Sequence, residues 1–216
     1  MFDHARPIRW LLALAIVSGI SAAVAQTAPP TAPAKTAIAT FAGGCFWCVE
    51  EAFEKVPGVV TAVSGFIGGN VANPSYQLVM TKTTGHAEAV RVTYDPGKVS
   101  YAQLVDWFWR NIDPVDAKGQ FCDKGSPYRS GIFYHDDEQK KVAEATKEAL
   151  QASGRFQQPI ATEITAAGPF YEAEDYHQDY HKKNPNRYQF YKYGCGRAQR
   201  LEEIWGKATP PPNLTQ

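Results

Sequence analysis

The chain has 216 residues, with 22 basic and 22 acidic side chains, so its formal net charge is zero. That balance gives no electrostatic reason to expect nucleic acid or an anionic membrane surface as a partner. A hydrophobic fraction of 44% with many aromatics excludes a disordered chain, and the length fits one globular domain.

Residues 1–25 read as a signal peptide. Arg6 and Arg9 give a basic start, Trp10 to Ile20 is apolar, and Ala23-Val24-Ala25 is a small-x-small cleavage site. The apolar run falls short of the roughly 20 residues that a membrane span needs. The expectation is export with cleavage into the periplasm; the alternative is a retained anchor facing the periplasm. Residues 26–36 are rich in Ala, Pro and Thr and read as a linker. The folded domain is expected over 37–207, followed by a loose tail over 208–216 that contains Pro210-Pro211-Pro212.

Within the domain, Ile38 to Phe41 reads as a strand stopped by Gly43-Gly44. Cys45 then opens a helix to about Val56, with Val49, Ala52, Phe53 and Val56 at helical spacing. Val59 to Phe66 and Glu88 to Tyr94 read as strands, and the stretches around Asn73–Tyr76 and Asp123–Arg129 as loops. Ser100 caps a helix containing Leu104, Val105, Trp107 and Phe108. Ser130 to Tyr134 is a strand, a long helix runs from Asp136 or Asp137 to about Ala152, and Ala161 to Thr165 is a last strand. A short polar helix with Tyr176, His177, Tyr180 and His181 follows Glu174. The order contains a β-α-β-β-α-β unit, which predicts an α+β, ferredoxin-like two-layer sandwich with a C-terminal extension.

Four cysteines, Cys45, Cys48, Cys122 and Cys195, are available for redox work or bridging. Cys45 stands at the head of a helix, where the first-turn amides and the dipole favour a thiolate of lowered pKa; an inert buried cysteine is the bland alternative. Phe46 and Trp47 lie off the Val49–Phe53 stripe and are expected to turn away from the core and wall an apolar pocket beside the thiol, although packing under a later loop explains them too. Glu88 shares a strand face with Val90, Val92 and Tyr94. Burial there raises a carboxyl pKa, keeping the group protonated and able to donate to a reacting oxygen; a strand-end glutamate reaching water is the competing reading. Tyr76 and Tyr128 are loop tyrosines, either pocket-rim donors or packing residues. Metal binding is not expected, because no second Cys-x-x-Cys follows and His177 and His181 lack the glutamate of a zinc helix.

The separated motifs Gly44-Cys45-Phe46-Trp47, Gly85-His86-Ala87-Glu88-Ala89-Val90, Asp123 through Tyr128-Arg129-Ser130, and Ala173-Glu174-Asp175-Tyr176-His177-Gln178 together resemble the methionine sulfoxide reductase A family. The resemblance runs from about Ala37 to about Gly206. It implies that Cys45 attacks the sulfoxide sulfur, that Glu88, with Tyr76 and Tyr128, protonates or hydrogen-bonds the oxygen, and that Phe46 and Trp47 hold the methyl group. Asp123 would organise the site. A sulfenic acid on Cys45 would then be captured by a resolving thiol and reduced by exchange. Cys195, between two glycines on a segment expected to move, matches the family's resolver. Cys48 departs from the glycine common at that position and is the second candidate; Cys122 is left without a role. The resemblance further implies no bound cofactor, an external thiol reductant (a thioredoxin-like protein or dithiol), peptide or protein methionine S-sulfoxide as substrate, and a monomer. The sequence carries no second, zinc-bearing B-type domain, so no action on the R epimer is expected. A disulfide oxidoreductase working through Cys45 and Cys48 is the rival; loss of Cys48 would abolish that activity but not sulfoxide reduction.

Overall fold

The computed structural model describes residues 35–207, together with Met1 and residues 210–212. The expected signal peptide, nearly all of the expected linker and most of the expected tail lie outside the described residues.

Alternating side chains set the layers. Strand β1 (Ala37–Gly43) sends Phe41 into the main core and Ala42 into a second cluster with Ile67, Ala87, Ala89 and Phe133. The Phe41 ring stacks on Phe53 at 4.8 Å and on Phe108 at 5.1 Å. Those rings belong to α1 (Phe46–Glu54) and α3 (Tyr101–Trp109), so both helices cover one face of the sheet. Strands β2 (Val59–Ile67), β3 (Ala87–Tyr94) and β6 (Ser130–Tyr134) complete the expected unit. The six-stranded sheet runs β7-β6-β1-β3-β2-β8, where β7 is Glu163–Ala166 and β8 is Tyr171–Glu172. All its pairings are antiparallel except β6 with β7. The first strand thus lies between the third and fourth of the unit, and the α+β sandwich is present as expected.

Local chemistry sets the helix starts. Ser100 accepts from the Gln103 amide while the Gln103 side chain returns to Ser100, a reciprocal cap that satisfies first-turn donors and stabilises by about 1 kcal/mol. Asp136 caps α4 (Asp137–Ala152) through the Gln139 amide.

Three readings need correction. The expected loop around Tyr76 contains a short helix, α2 (Tyr76–Met80), capped by Ser75. A two-strand ribbon, β4 (Gly119–Gln120) with β5 (Asp123–Lys124), interrupts the second loop. The C-terminal extension is more ordered than expected: after a 3-10 turn at Asp175–His177 come α5 (Tyr180–Lys183), α6 (Pro185–Gly194) and α7 (Arg197–Trp205). Cys195, expected on a segment that moves, caps α6. Pro at the first position of α6 was the signal of its start. No helix among the described residues is long and apolar enough to cross a membrane.

Candidate active site

The site begins where β1 turns into α1. Gly44 has φ +84°, and a Cβ there would lie 2.5 Å from Cβ of Gln120, so the position requires glycine for both conformation and space. The turn leaves Cys45 as N-cap, its carbonyl accepting from the Cys48 amide at 3.1 Å and the Val49 amide at 3.3 Å. The guanidinium of buried Arg197 holds the Gly43 carbonyl at 3.3 Å and that of Asn111 at 2.6 Å, which ties α7 to this turn.

Glu88 sits on the helix-covered face of β3, opposite Phe66 of β2. It is 2% exposed and its Oε2 accepts the Phe46 amide at 2.9 Å. Burial raises its carboxyl well above the usual carboxylate range. The Phe46 hydrogen bond opposes that rise, and negative charge on Asp123 and Cys48 adds to it. The carboxyl is therefore a protonated donor near neutrality. Around it stand Tyr76, raised to about 12 by burial and by the charges of Glu88 and Cys45, and Tyr128, raised for the same reasons. Both phenols remain donors throughout the working range. Tyr128 also donates to Sδ of Met80 at 3.1 Å.

Phe46 is not turned away from the core: it is 1% exposed and packs against Phe66 at 5.8 Å, with Tyr76 at 6.3 Å and His177 at 5.0 Å. The C-terminal extension roofs the first turn of α1, so residues off the Val49–Phe53 stripe are enclosed as well. Trp47 stacks on Tyr180 at 3.7 Å and donates to Nδ1 of His177 at 3.1 Å. That bond fixes His177 as the neutral Nε2–H tautomer, consistent with burial lowering its pKa to about 4. The Nε2 atom has no partner among the described residues.

The thiols differ from expectation. Cys45 and Cys48 are buried and free, in one cluster with Tyr180 and Tyr188, against which Trp47 and Tyr191 pack. Burial raises Cys45, with its hydrogen bond to Cys48 and the charges of Cys48 and Glu88 adding to the rise. Desolvation therefore outweighs the helix terminus that was expected to lower it. The lowered thiol is Cys48: the hydrogen bond from Cys45 leads, burial opposes, and Arg197, Tyr188 and Lys192 assist. Within the pair, Cys45 is the thiol held up and Cys48 the one held down.

Asp123 is reached through a residue that sequence reasoning missed. The Tyr191 hydroxyl donates to Asp123 Oδ2 at 2.5 Å, and its ring packs against the cluster that holds Cys45. The spacing Tyr188–Tyr191–Cys195 along a helix was the available signal. Cys195 itself is bonded to Cys122. Two further glutamates were not singled out as site residues. Glu50 takes Ser64 Oγ at 3.1 Å and the Asp179 amide at 3.1 Å. Glu51 takes Tyr188 Oη at 2.6 Å, Lys55 at 2.7 Å, and Lys192. Together they fasten α5 and α6 over α1.

The expected residues Cys45, Phe46, Trp47, Tyr76, Glu88, Asp123 and Tyr128 thus lie around one place: an apolar, water-poor site with a buried thiol near neutral O–H donors. The family profile described as peptide methionine sulfoxide reductase matches residues 37–209. A curated peptide methionine sulfoxide reductase MsrA of Bacillus licheniformis is 52% identical over 173 residues, covering 80% of this chain and 96% of that protein. The Bacillus subtilis counterpart is 54% identical over 172 residues, covering 80% and 97%. Among solved structures, Mxr1 from Saccharomyces cerevisiae in reduced form aligns with TM-score 0.66 and 36% identity, over 71% of this chain and 88% of that one. Methionine sulfoxide reductase A of Corynebacterium diphtheriae aligns with TM-score 0.63 and 35% identity, over 72% and 77%.

Proposed function

The chain belongs to the peptide methionine sulfoxide reductase family, and on that premise we propose the following course for its reaction. The chain reduces methionine S-sulfoxide, free or in proteins, to methionine. The observation that carries the reading is the buried Glu88 carboxyl, which accepts the Phe46 amide in the first turn of the helix that Cys45 caps.

A sulfoxide sulfur is electrophilic once its oxygen is protonated or strongly hydrogen-bonded. Glu88 supplies that proton, and Tyr76 and Tyr128 donate hydrogen bonds to the same oxygen. The methyl group lies against Phe46 and Trp47, where aromatic faces suit a polarisable sulfur and its methyl. As Cys45 attacks sulfur, its proton passes to Cys48, the thiol of the pair whose pKa is lowered. The oxygen ends on Cys45 as a sulfenic acid and methionine leaves. The resemblance names Cys195 as the thiol that takes this oxygen out. With Cys195 bonded to Cys122, the thiol beside Cys45 is Cys48. Cys48 therefore attacks first, forming the Cys45–Cys48 bond and releasing water. At a helix N-terminus this spacing is that of redox-active Cys-x-x-Cys pairs, since Cys45 lies outside the helix proper. Asp123, through Tyr191, steadies the nucleophile. A thioredoxin-like protein or a small dithiol completes the cycle.

The signal-like residues 1–25 support export, with cleavage and a working domain over 37–207, so the substrates are oxidised exported proteins and the reductant is one delivered to the periplasm. Cell fractionation tests that address: mature protein found in the cytoplasm would overturn it. The activity is tested by offering the full chain separated S and R epimers of a peptide methionine sulfoxide with dithiothreitol. Methionine from S alone is expected; methionine from neither epimer, by folded and reduced protein, would sink the reading.

A further inference from the structure

The turn Phe121-Cys122 joins β4 to β5, and Phe121 has φ +54°, a left-handed value that a bulky residue adopts only when its surroundings hold it. Its ring lies under the Arg197 guanidinium at 4.4 Å. The turn leaves Cys122 at the surface with half-buried Asp123 beside it, and Cys195 arrives from the end of α6. The Cα atoms of the two cysteines are 4.9 Å apart, and Cys195 Sγ lies 4.0 Å from Asp123 Oδ2. The three donor atoms all lie within 4.8 Å of one another. A tetrahedral zinc ion, with bonds of about 2.3 Å to sulfur and about 2.1 Å to oxygen, spaces its ligand atoms by about 3.6–3.8 Å. The sulfur–oxygen separation is already close to that, and reduction frees the two sulfurs to part by side-chain rotation. The carboxylate is held in place by the Tyr191 hydroxyl at 2.5 Å, the kind of outer contact that orients a metal ligand. Cys122 and Cys195 are 73 residues apart, so no short-range spacing announces the site. Cys45 and Cys48 belong to no such grouping. The other three-donor grouping among the described residues, Glu50, Glu54 and Asp179, already holds the Lys182 ammonium, at 2.8 Å from Glu54 and 2.7 Å from Asp179.

We propose that Cys122 and Cys195, when reduced, form with Asp123 a binding site for a thiophilic divalent cation of the zinc type. Two thiolates and one carboxylate suit zinc, whereas magnesium and calcium take oxygen ligands alone. Binding releases the two thiol protons to solvent; the cation keeps its charge and no electron moves. Cys122 is exposed, so the fourth position is open to water. The cation and the disulfide need the same two sulfurs, and each therefore excludes the other. A bound cation holds the outer pair reduced by mass action, and oxidation of the pair expels the cation. The site is independent of the sulfoxide reductase reading.

The full chain, kept reduced by a phosphine, is titrated with cobalt(II) as a coloured substitute for zinc. One cobalt per chain should bind, with the near-ultraviolet charge-transfer band of thiolate ligands and the strong visible bands of a tetrahedral site, and zinc should erase both. Cys45→Ser/Cys48→Ser should keep the bands, and Cys122→Ser/Cys195→Ser should lose them. Asp123→Asn should weaken zinc binding at least about tenfold in competition with a coloured chelator. Oxidised glutathione should leave Cys122 and Cys195 as thiols in the zinc-loaded chain, read by mass spectrometry, and should oxidise them once the zinc is chelated. No bands from the folded, reduced chain, or bands that survive loss of the outer cysteines, would overturn the site. Unchanged zinc affinity in Asp123→Asn would overturn the donor set, and undiminished oxidation of the zinc-loaded pair would overturn the mutual exclusion.

Discussion

At the residue scale, two groups divide the work and each makes a separable prediction. In the proposed reaction Glu88 acts in its protonated form, so its burial sets an upper pH limit: kcat/KM should fall as pH rises through its elevated pKa. Glu88→Gln keeps a hydrogen-bond donor but has no proton to give. We expect kcat/KM to drop by about 10² to 10³ and the alkaline limb to vanish from the pH profile; an unaltered limb would assign the titration to another group. Phe46 and Trp47, paired by the sequence, separate in the structure. Phe46 is part of the core, so Phe46→Ala should lower unfolding free energy by about 3–5 kcal/mol in urea titration. Trp47→Phe keeps the aromatic face but loses the bond to His177. It should raise KM several-fold with little change in the urea midpoint.

At the scale of elements, α1 carries two adjacent glutamates with opposite behaviour. Burial raises Glu50 to about 7, against an ordinary 4.5, while the bonds from Asp179 and Ser64 and the Glu54 charge are lesser influences. Burial acts upward on Glu51 as well, yet Lys192, Lys55 and Tyr188 together bring it down to about 2. A raised carboxyl makes the native state hold a proton that the unfolded chain releases, so Glu50 lowers stability as pH rises from 4.5 to 7. The depressed Glu51 contributes stability that is present above 4.5 and lost as pH falls toward 2. Urea midpoints across this range should show Glu50→Gln flattening the first slope and Glu51→Gln the second. Gly44→Ala should cost at least about 1 kcal/mol, because a Cβ meets Gln120 and φ is positive. The same elements show what the sequence could reveal. Strand alternation in β3 located Glu88 on the buried face, and Ser100 and Asp136 marked helix starts, because these are local signals. Glu51 and Arg197 were hidden because their meaning lies in contacts made across well over a hundred residues of chain, and Tyr191 because its partner Asp123 lies 68 residues away. For the same reason the Cys45 thiol was misjudged: a helix terminus is visible locally, whereas the tyrosines that bury it arrive from α5 and α6.

At the scale of the whole molecule, a two-layer sandwich supplies a rigid floor and the C-terminal helices supply the roof. The floor is β3 with α1, which fixes the carboxyl and thiol relative to one another. The roof excludes water, raising both groups, and brings Cys195 within reach of Asp123. A loosened roof should therefore disturb chemistry before fold. Arg197→Lys, which loses the forked grip on Gly43 and Asn111, should lower kcat several-fold while the sheet's circular dichroism is retained. The central claim is that the sulfoxide oxygen is transferred to Cys45. It is tested most directly in the double variant Cys48→Ser/Cys195→Ser, fully reduced, mixed with one equivalent of peptide methionine S-sulfoxide and a sulfenic acid trap, followed by peptide mass spectrometry. Methionine should form once per chain with the trap on Cys45; methionine formed without modification of Cys45, or none formed at all by the folded protein, would contradict it.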